Sequence, residues 1–144
     1  PPAAPAPDYA VITLTQDVAR TPDQTWAKIG PYCAIAQWLK VTCVLTAGTG
    51  DVGTIRQLNG RTREILVAKT PYSYTYTQPT TTILYHGPLA VDPADGGAHS
   101  RIVYTLFYDA APLGTPEKKA ADREQRSKRF GAALVTMKAM AESP

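Results

Sequence analysis

Residues 115–142 read TPEKKAADREQRSKRFGAALVTMKAMAE, and this stretch decides the fold. Thr115 can cap the free amides of a helix, Pro116 suits the first helical position, and Glu117 follows at the positive end of the helix dipole. An apolar stripe at helical spacing occupies the second half: Phe130, Leu134, Met137 and Ala141. The pattern predicts a long C-terminal helix that buries one face.

A second helix start of the same kind lies near the N-terminus, at Thr21-Pro22-Asp23-Gln24. Here Gln24 stands three residues after Thr21, so the two can form a capping box. Gly30-Pro31 ends this helix, and residues 32–38 predict a second, shorter one that carries Trp38. Two short helices are therefore expected ahead of the long one.

The sequence between the helix starts is rich in Thr, Tyr, Val and Ile. Strands are predicted at residues 9–15, 41–46, 54–58, 63–68, 72–78, 82–91 and 100–108. Their connections are short and contain no crossover helix after the second strand, which indicates an antiparallel sheet. Residues 48–53, GTGDVG, match the glycine pattern of dinucleotide-binding proteins, but a strand and not a helix follows. We therefore predict a loop between strands and no nucleotide site.

Composition and charge exclude several classes of function. The 144 residues carry a net charge of +3, with bases and acids interleaved, so no nucleic-acid footprint is present. The mixed-charge run 117–129 is expected to be a solvated face of the long helix. No apolar stretch approaches the length of a transmembrane segment. Nothing indicates a cofactor, and His86, His99 and the two cysteines match no metal motif.

The N-terminal residues 1–8 differ from the rest in being rich in Pro and Ala, and we expect them to be a flexible leader before one domain at 9–144. A leader without Met is expected after removal of a secretory signal, or where a longer chain has been cut. Removal of a secretory signal implies that the protein is periplasmic or secreted. A cut longer chain is also compatible with the cytoplasm. Cys33 and Cys43 would form a disulfide in an exported chain and two buried thiols otherwise.

Several short motifs follow one another along the chain: the strand leading into TPDQTW (21–26), Trp38, GTIR (53–56), EIL (64–66), SYTY (73–76) and FGAAL (130–134). Their order resembles the SRPBCC superfamily, the START-like and birch-pollen-allergen-like helix-grip proteins, and within it the bacterial polyketide cyclase/dehydrase branch. The resemblance covers about residues 9–142.

The resemblance implies an α+β helix-grip fold, in which a curved antiparallel sheet of six to seven strands wraps around the long helix. It also implies a mostly apolar cavity between sheet and helix. Superfamily members hold lipids, sterols, polyketides or plant aromatics there, and some cyclise or dehydrate them. The expected partner is thus a small hydrophobic or aromatic molecule, and a protein partner is an open alternative.

The hairpin around Asn59-Gly60 allows two registers. A two-residue loop, which Asn-Gly favours, would set Arg56 opposite Arg63. A three-residue loop sets Arg56 opposite Glu64, where opposite charges stabilise the pair. The Arg and Glu that the family carries at these places favour the second register. An inward Arg56–Glu64 pair could hold a ligand carboxylate or enolate, with Glu64 as a general base, or it could only steady the sheet.

Tyrosines are the second chemical hint, because eight are present against two phenylalanines. Tyr74 and Tyr76 share one strand face, as do Tyr104 and Tyr108, and phenols can stack on or donate to an aromatic ligand. If the chain is an enzyme, the catalytic residues are expected to be Arg56, Glu64 and Tyr74. The expected ligand-binding residues are Trp38, Arg56, Glu64, Tyr74, Tyr76, Tyr85, Tyr104, Tyr108, Phe130 and Leu134.

Three functions compete at this stage. The first is a carrier or sensor that binds a small apolar or aromatic molecule in the cavity. The second is a cyclase-, dehydratase- or lyase-like enzyme that uses acid–base chemistry there. The third is an accessory protein that acts through its surface.

Overall fold

The computed structural model describes residues 6–144 and contains seven strands and three α-helices. The strands are β1 (Tyr9–Val18), β2 (Cys43–Ala47), β3 (Ile55–Leu58), β4 (Thr62–Thr70), β5 (Ser73–Thr77), β6 (His86–Ala94) and β7 (His99–Asp109). The helices are α1 (Pro22–Ile29), α2 (Ile35–Trp38) and α3 (Pro116–Glu142). Most of the expected leader lies outside the described residues; its last three, 6–8, are exposed and irregular.

All strands belong to one curved antiparallel sheet in the order β1-β7-β6-β5-β4-β3-β2. Strands β2 to β7 form a meander, as the short connections predicted, and β1 pairs with β7 at the other edge of the sheet. The long helix α3 packs against β1 and against the short helices α1 and α2. The α+β helix-grip fold is therefore confirmed.

Both helix starts have the predicted caps. The Thr21 hydroxyl accepts from the Gln24 amide at 3.2 Å, and the Gln24 side chain accepts from the Thr21 amide at 3.1 Å, which completes the capping box. Thr115 caps α3 by accepting from the Lys118 amide at 3.3 Å. These bonds satisfy amides that have no partner within their helices.

The core lies between the concave face of the sheet and the three helices. Alternate residues of β7 point into it and are buried: Ile102, Tyr104, Leu106 and Tyr108. The apolar stripe of α3 meets them with Phe130, Leu134, Met137 and Ala141, all buried as the helical spacing predicted.

The hairpin between β3 and β4 has the three-residue loop that charge pairing favoured. Leu58 pairs with Thr62, and Arg56 pairs with Glu64. Asn59 and Gly60 adopt left-handed backbone conformations, with φ of 52° and 70°, which these two residue types tolerate.

One loop prediction is confirmed and one strand prediction is corrected. Residues 48–53 form a loop between β2 and β3, as predicted. The strand predicted at 82–91 begins only at His86, because the chain turns before it and Leu84 takes a left-handed φ of 50°. β-Branched threonines made this turn resemble a strand.

Within residues 6–144, no helix is long and apolar enough to cross a bilayer.

Candidate ligand-binding site

A buried ion pair lies on the concave face of the sheet, where Arg56 of β3 faces Glu64 of β4. Arg56 is 0% exposed and Glu64 is 2% exposed. Arg56 Nε donates to Glu64 Oε1 at 2.9 Å. Arg56 Nη2 lies 2.7 Å from the same oxygen. This contact is an ion pair, but its geometry is not that of a hydrogen bond. The register of the hairpin thus brings two opposite charges together out of contact with water.

Aromatic rings and oxygen acceptors surround the rest of the guanidinium. Arg56 Nη1 donates to the Tyr32 backbone carbonyl at 2.6 Å and to the Tyr74 hydroxyl at 3.1 Å. The guanidinium carbon lies 4.1 Å from the centre of the Tyr32 ring and 4.8 Å from that of Tyr76. Cation–π contacts of this kind stabilise a desolvated cation.

The surroundings keep Arg56 charged although it is buried. Burial alone would lower the pKa of Arg56, but the oxygen of Tyr74 and the carboxylate of Glu64 more than offset it, and its pKa is raised. Arg56 therefore remains a fixed positive charge.

Glu64 is held at both carboxylate oxygens. Arg56 occupies Oε1, and Gln78 Nε2 donates to Oε2 at 2.7 Å. The Tyr32 hydroxyl donates to the Glu64 backbone carbonyl at 3.0 Å, which ties the loop after α1 to β4. Glu64 is accordingly a positioned acceptor with a fixed orientation.

Three phenol groups form a hydrogen-bonded cluster beside the ion pair. The Tyr76 and Tyr104 hydroxyls are 2.6 Å apart, and the Tyr76 hydroxyl lies 3.3 Å from that of Tyr85. Burial raises the pKa of Tyr76 and of Tyr104 well above the ordinary value, and it raises that of Tyr85 as well. These phenols are therefore neutral hydrogen-bond donors and not bases.

The larger cavity beside the ion pair has a volume of about 520 Å³ and lies between α1 and the strands β2, β4 and β5. We call it the α1 cavity. Its lining is Trp26, Ala27, Gly30, Pro31, Tyr32, Cys33, Leu45, Thr49, Gly50, Leu66, Lys69, Ser73 and Tyr74. Three aromatic rings of this lining contact one another. The ring centre of Tyr74 lies 5.7 Å from that of Trp26 and 5.3 Å from that of Tyr32.

A disulfide closes one side of the α1 cavity. Cys33, in the loop after α1, is bonded to Cys43 at the start of β2, with Cα atoms 5.5 Å apart. The bond holds the helical segment against the edge strand of the sheet.

A second cavity of about 280 Å³ lies between α3 and the β3–β4 hairpin, and we call it the α3 cavity. Its lining is Ile35, Leu39, Val41, Leu58, Asn59, Arg61, Thr62, Glu64, Tyr76, Gln78, Tyr85, Arg126, Arg129 and Phe130. Charged and amide side chains take a large share of this lining, unlike the mostly apolar cavity that the resemblance implied. The reason is that the hairpin loop and α3 both turn arginines toward it.

The expected ligand-binding residues divide between these places. Tyr74 lines the α1 cavity, whereas Glu64, Tyr76, Tyr85 and Phe130 line the α3 cavity. Arg56 contacts residues of both linings and so lies in the wall between them. The remaining four pack in the core and line neither cavity: Trp38, Tyr104, Tyr108 and Leu134.

The expected catalytic set shares the ion pair but not a cavity. Arg56 is hydrogen-bonded to both Glu64 and Tyr74. Glu64, however, borders the α3 cavity and Tyr74 borders the α1 cavity, so one small ligand would meet one of them directly.

Several site residues were not foreseen. Gln78 continues the alternation of Tyr74 and Tyr76, and that spacing was a usable signal. Arg126 stands four residues before Phe130 and so on the same helix face, although the run 117–129 was expected to be solvated. Tyr32 lies in the turn before α2 and not in the helix predicted at 32–38, and no local pattern predicts its contact with Arg56.

The histidines take no part in either cavity lining. His86 Nδ1 lies 2.9 Å from the Leu84 carbonyl oxygen, and His99 pairs with Asp95 at 2.7 Å on the surface. In the part of the chain that the structure describes, no group of three or more His, Cys, Asp or Glu residues converges as a metal site would require.

Comparisons with known proteins agree with this fold. A family model described as "Polyketide cyclase / dehydrase and lipid transport" matches residues 9–142. No curated protein matches the chain.

Similar solved structures share the fold at low sequence identity. A protein from Nitrosospira multiformis is 17% identical with a TM-score of 0.73, covering 93% of this chain and 97% of its own. The aromatase/cyclase Zhui from Streptomyces sp. R1128 is 16% identical with a TM-score of 0.73, covering 94% of each chain. Norcoclaurine synthase from Thalictrum flavum is 16% identical with a TM-score of 0.67, covering 96% of this chain and 97% of its own.

Proposed function

Since the chain belongs to the polyketide cyclase / dehydrase and lipid transport family, we propose that it binds a small apolar or aromatic molecule in the α1 cavity. The observation that carries this proposal is the cavity itself, about 520 Å³ in volume and lined mainly by aromatic and aliphatic side chains. That volume falls within the range of about 300–1,000 Å³ typical of small-molecule sites.

The walls favour a flat apolar ligand. Trp26 and Tyr74 offer ring surface, and Leu45 and Leu66 offer aliphatic surface. Burying an apolar ligand against these side chains supplies the main driving force.

Few polar groups are available, and they would orient the ligand. Tyr74 lines the cavity, its hydroxyl is already hydrogen-bonded to Arg56, and burial raises the pKa of Tyr74. Lys69 stands at the rim, where its amine donates to the Gly50 carbonyl at 3.2 Å. A ligand carbonyl or hydroxyl could pair with these groups. Two structural neighbours, an aromatase/cyclase and norcoclaurine synthase, support a ligand of aromatic character.

The test uses N-phenyl-1-naphthylamine, a neutral aromatic probe that fluoresces when bound in an apolar site. Ala27 is exposed and lines the cavity, so Ala27→Trp should obstruct it. Lys28 is the next residue of α1, is also exposed and does not line the cavity, so Lys28→Trp is the matched control. We expect the first variant to lose probe binding and the second to retain it. Equal binding by both variants would refute the proposed site.

Native mass spectrometry of the purified protein would then identify any ligand that co-purifies.

A second candidate function is acid–base catalysis, and one observation favours it. Glu64 is a buried carboxylate that borders the α3 cavity beside the neutral phenols of Tyr76 and Tyr85. A base and an acid that line one cavity could move a proton on a bound carbonyl compound. If Glu64→Gln keeps affinity for a ligand but abolishes its turnover, the protein is an enzyme. If no bound ligand is turned over, it is a carrier or sensor.

We also propose that the protein works in an oxidising compartment, the periplasm or the exterior. The Cys33–Cys43 bond supports this, because disulfides persist in such compartments and are rare in the cytosol. Thiol alkylation of protein taken from separated cell fractions, read by mass, tests it. Two alkylated cysteines in freshly isolated protein would contradict the proposal.

A further inference from the structure

The α3 cavity differs from the α1 cavity in its charge, and this difference points to a second ligand. We propose that the α3 cavity is a separate binding site for a small aromatic carboxylate, with the carboxylate held by Arg61, Arg126 and Arg129. This inference does not depend on a ligand in the α1 cavity.

Positive charge around the α3 cavity exceeds what its acids can neutralise. Among the lining residues, Glu64 is the only acid, and its carboxylate is already bound by Arg56 and Gln78. It therefore offers little compensation to the arginines of the lining. Arg126 is paired with Asp122, so the uncompensated charge of the lining is that of Arg61 and Arg129. Like charges that converge on a cavity repel one another, and a bound anion relieves that repulsion.

Arg126 is held in position to receive an anion. Its Nε donates to Asp122 at 2.7 Å, and its guanidinium lies 4.7 Å from the Tyr108 ring centre and 5.4 Å from that of Tyr85. Its side chain is only 24% exposed. In the described part of the chain its two terminal nitrogens make no hydrogen bond, so they are available as a preorganised pair of donors for a carboxylate.

Arg61 and Arg129 complete the anion site from opposite sides. Arg61 belongs to the β3–β4 loop, and Arg129 lies one turn along α3 from Arg126. Over residues 6–144, neither forms a salt bridge. Both are exposed, so they can turn toward a ligand at the cavity mouth.

Part of the remaining lining is apolar and can contact an aromatic body. Phe130, Leu39 and Leu58 supply apolar surface next to the arginines, and Tyr85 supplies a ring. A volume of about 280 Å³ admits one small ring system and excludes a lipid with long chains. A single aromatic acid therefore fits both the volume and the charge.

Two probes of the same shape test the charge requirement. 2-Naphthoate carries a carboxylate, and 2-naphthamide replaces it with a neutral amide. Isothermal titration calorimetry should show that naphthoate binds several-fold more tightly at low salt, and that added salt reduces the difference by screening. Equal affinity for both probes would overturn the inference.

Matched variants locate the site. Arg61→Gln combined with Arg129→Gln should weaken naphthoate about three- to tenfold, as expected for two partly exposed charge contacts, and leave naphthamide unchanged. Arg63→Gln combined with Lys128→Gln removes the same charge from exposed neighbours outside the lining and should change neither probe. If both double variants weaken naphthoate equally, the effect is one of overall charge and the α3 site does not exist.

The two proposals fail separately. Ala27→Trp should leave naphthoate binding intact, because Ala27 lines only the α1 cavity of the two. Loss of naphthoate binding in that variant would refute the α3 site. Failure of the neutral naphthylamine probe to bind the unaltered protein would count against the α1 cavity alone.

Discussion

Gly87 lies directly opposite Tyr76 across β5 and β6, and the ring of Tyr76 occupies the space that a Cβ at position 87 would need. The glycine is required for room and not for an unusual backbone, since its φ is not in the left-handed region. The absence of a side chain at Gly87 thus places the Tyr76 ring beside Arg56 and within reach of the Tyr85 and Tyr104 hydroxyls.

Gly87→Ala should therefore destabilise the fold by about 1–3 kcal/mol, as overpacking of a dense core does. The contact would be with a buried ring that cannot swing away, so relaxation must involve the strand or the phenol cluster. Urea denaturation measures the loss in the free energy of unfolding, and near-ultraviolet circular dichroism reports the displaced tyrosines.

Gly131→Ala is the matched control. Gly131 lies inside α3, and no atom outside its own stretch of helix lies within 4 Å of an added Cβ. This change should stabilise the protein by up to about 1 kcal/mol, the usual gain of alanine over glycine in a helix. If both glycine variants shift stability in the same direction, the role assigned to Gly87 is wrong.

The sequence could predict features that depend on short-range patterns. Thr21 and Thr115 predicted where their helices begin, because capping is a local interaction. For the hairpin, charge pairing favoured the Arg56–Glu64 register and Asn59-Gly60 favoured the other, and the family resemblance decided between them. Two independent kinds of constraint, turn chemistry and charge, could be weighed against each other there.

Features that depend on distant contacts could not be predicted. The burial of Arg56 under Tyr32 joins a loop between helices to a strand, and no periodicity connects them. The separation of Glu64 and Tyr74 into different cavities depends on where α1 and α3 cover the sheet. Such outcomes are set by packing of the whole chain and not by any segment of it.

Removing one member of the buried ion pair should cost far more than removing both. Arg56→Met leaves the Glu64 carboxylate buried without its main partner, and breaking a buried pair this way costs about 3–5 kcal/mol. The double variant Arg56→Met/Glu64→Leu removes both charges and should recover most of that loss. A double-mutant cycle in urea measures the coupling. Additive losses would mean that the pair does not stabilise either charge.

The Cys33–Cys43 disulfide should stabilise the fold mainly by restricting the unfolded chain. Its sequence separation of 10 closes a short loop, for which the chain-entropy relation gives about 2–3 kcal/mol. Cys33→Ser/Cys43→Ser should lose that amount in a denaturation series, and the unaltered protein should match the variant after reduction. A variant as stable as the oxidised protein would show that the bond contributes nothing.

Alkaline pH should unfold the protein through its buried phenols. Burial raises the pKa of Tyr74, Tyr76, Tyr85 and Tyr104 above their values in the unfolded chain. At high pH the unfolded chain therefore binds fewer protons, and the free energy of unfolding falls as pH increases. The stability that the neutral phenols contribute is complete below the pKa of the unfolded chain, about 10, and is lost as pH rises through the pKa values of the folded state.

Phenolate absorbance from these four residues should appear together with the loss of far-ultraviolet circular dichroism. In concentrated guanidinium chloride all eight tyrosines should instead ionise in one step near pH ~10. Full ionisation while the sheet is still intact would show that the four phenols are accessible to water, contrary to their burial in the core.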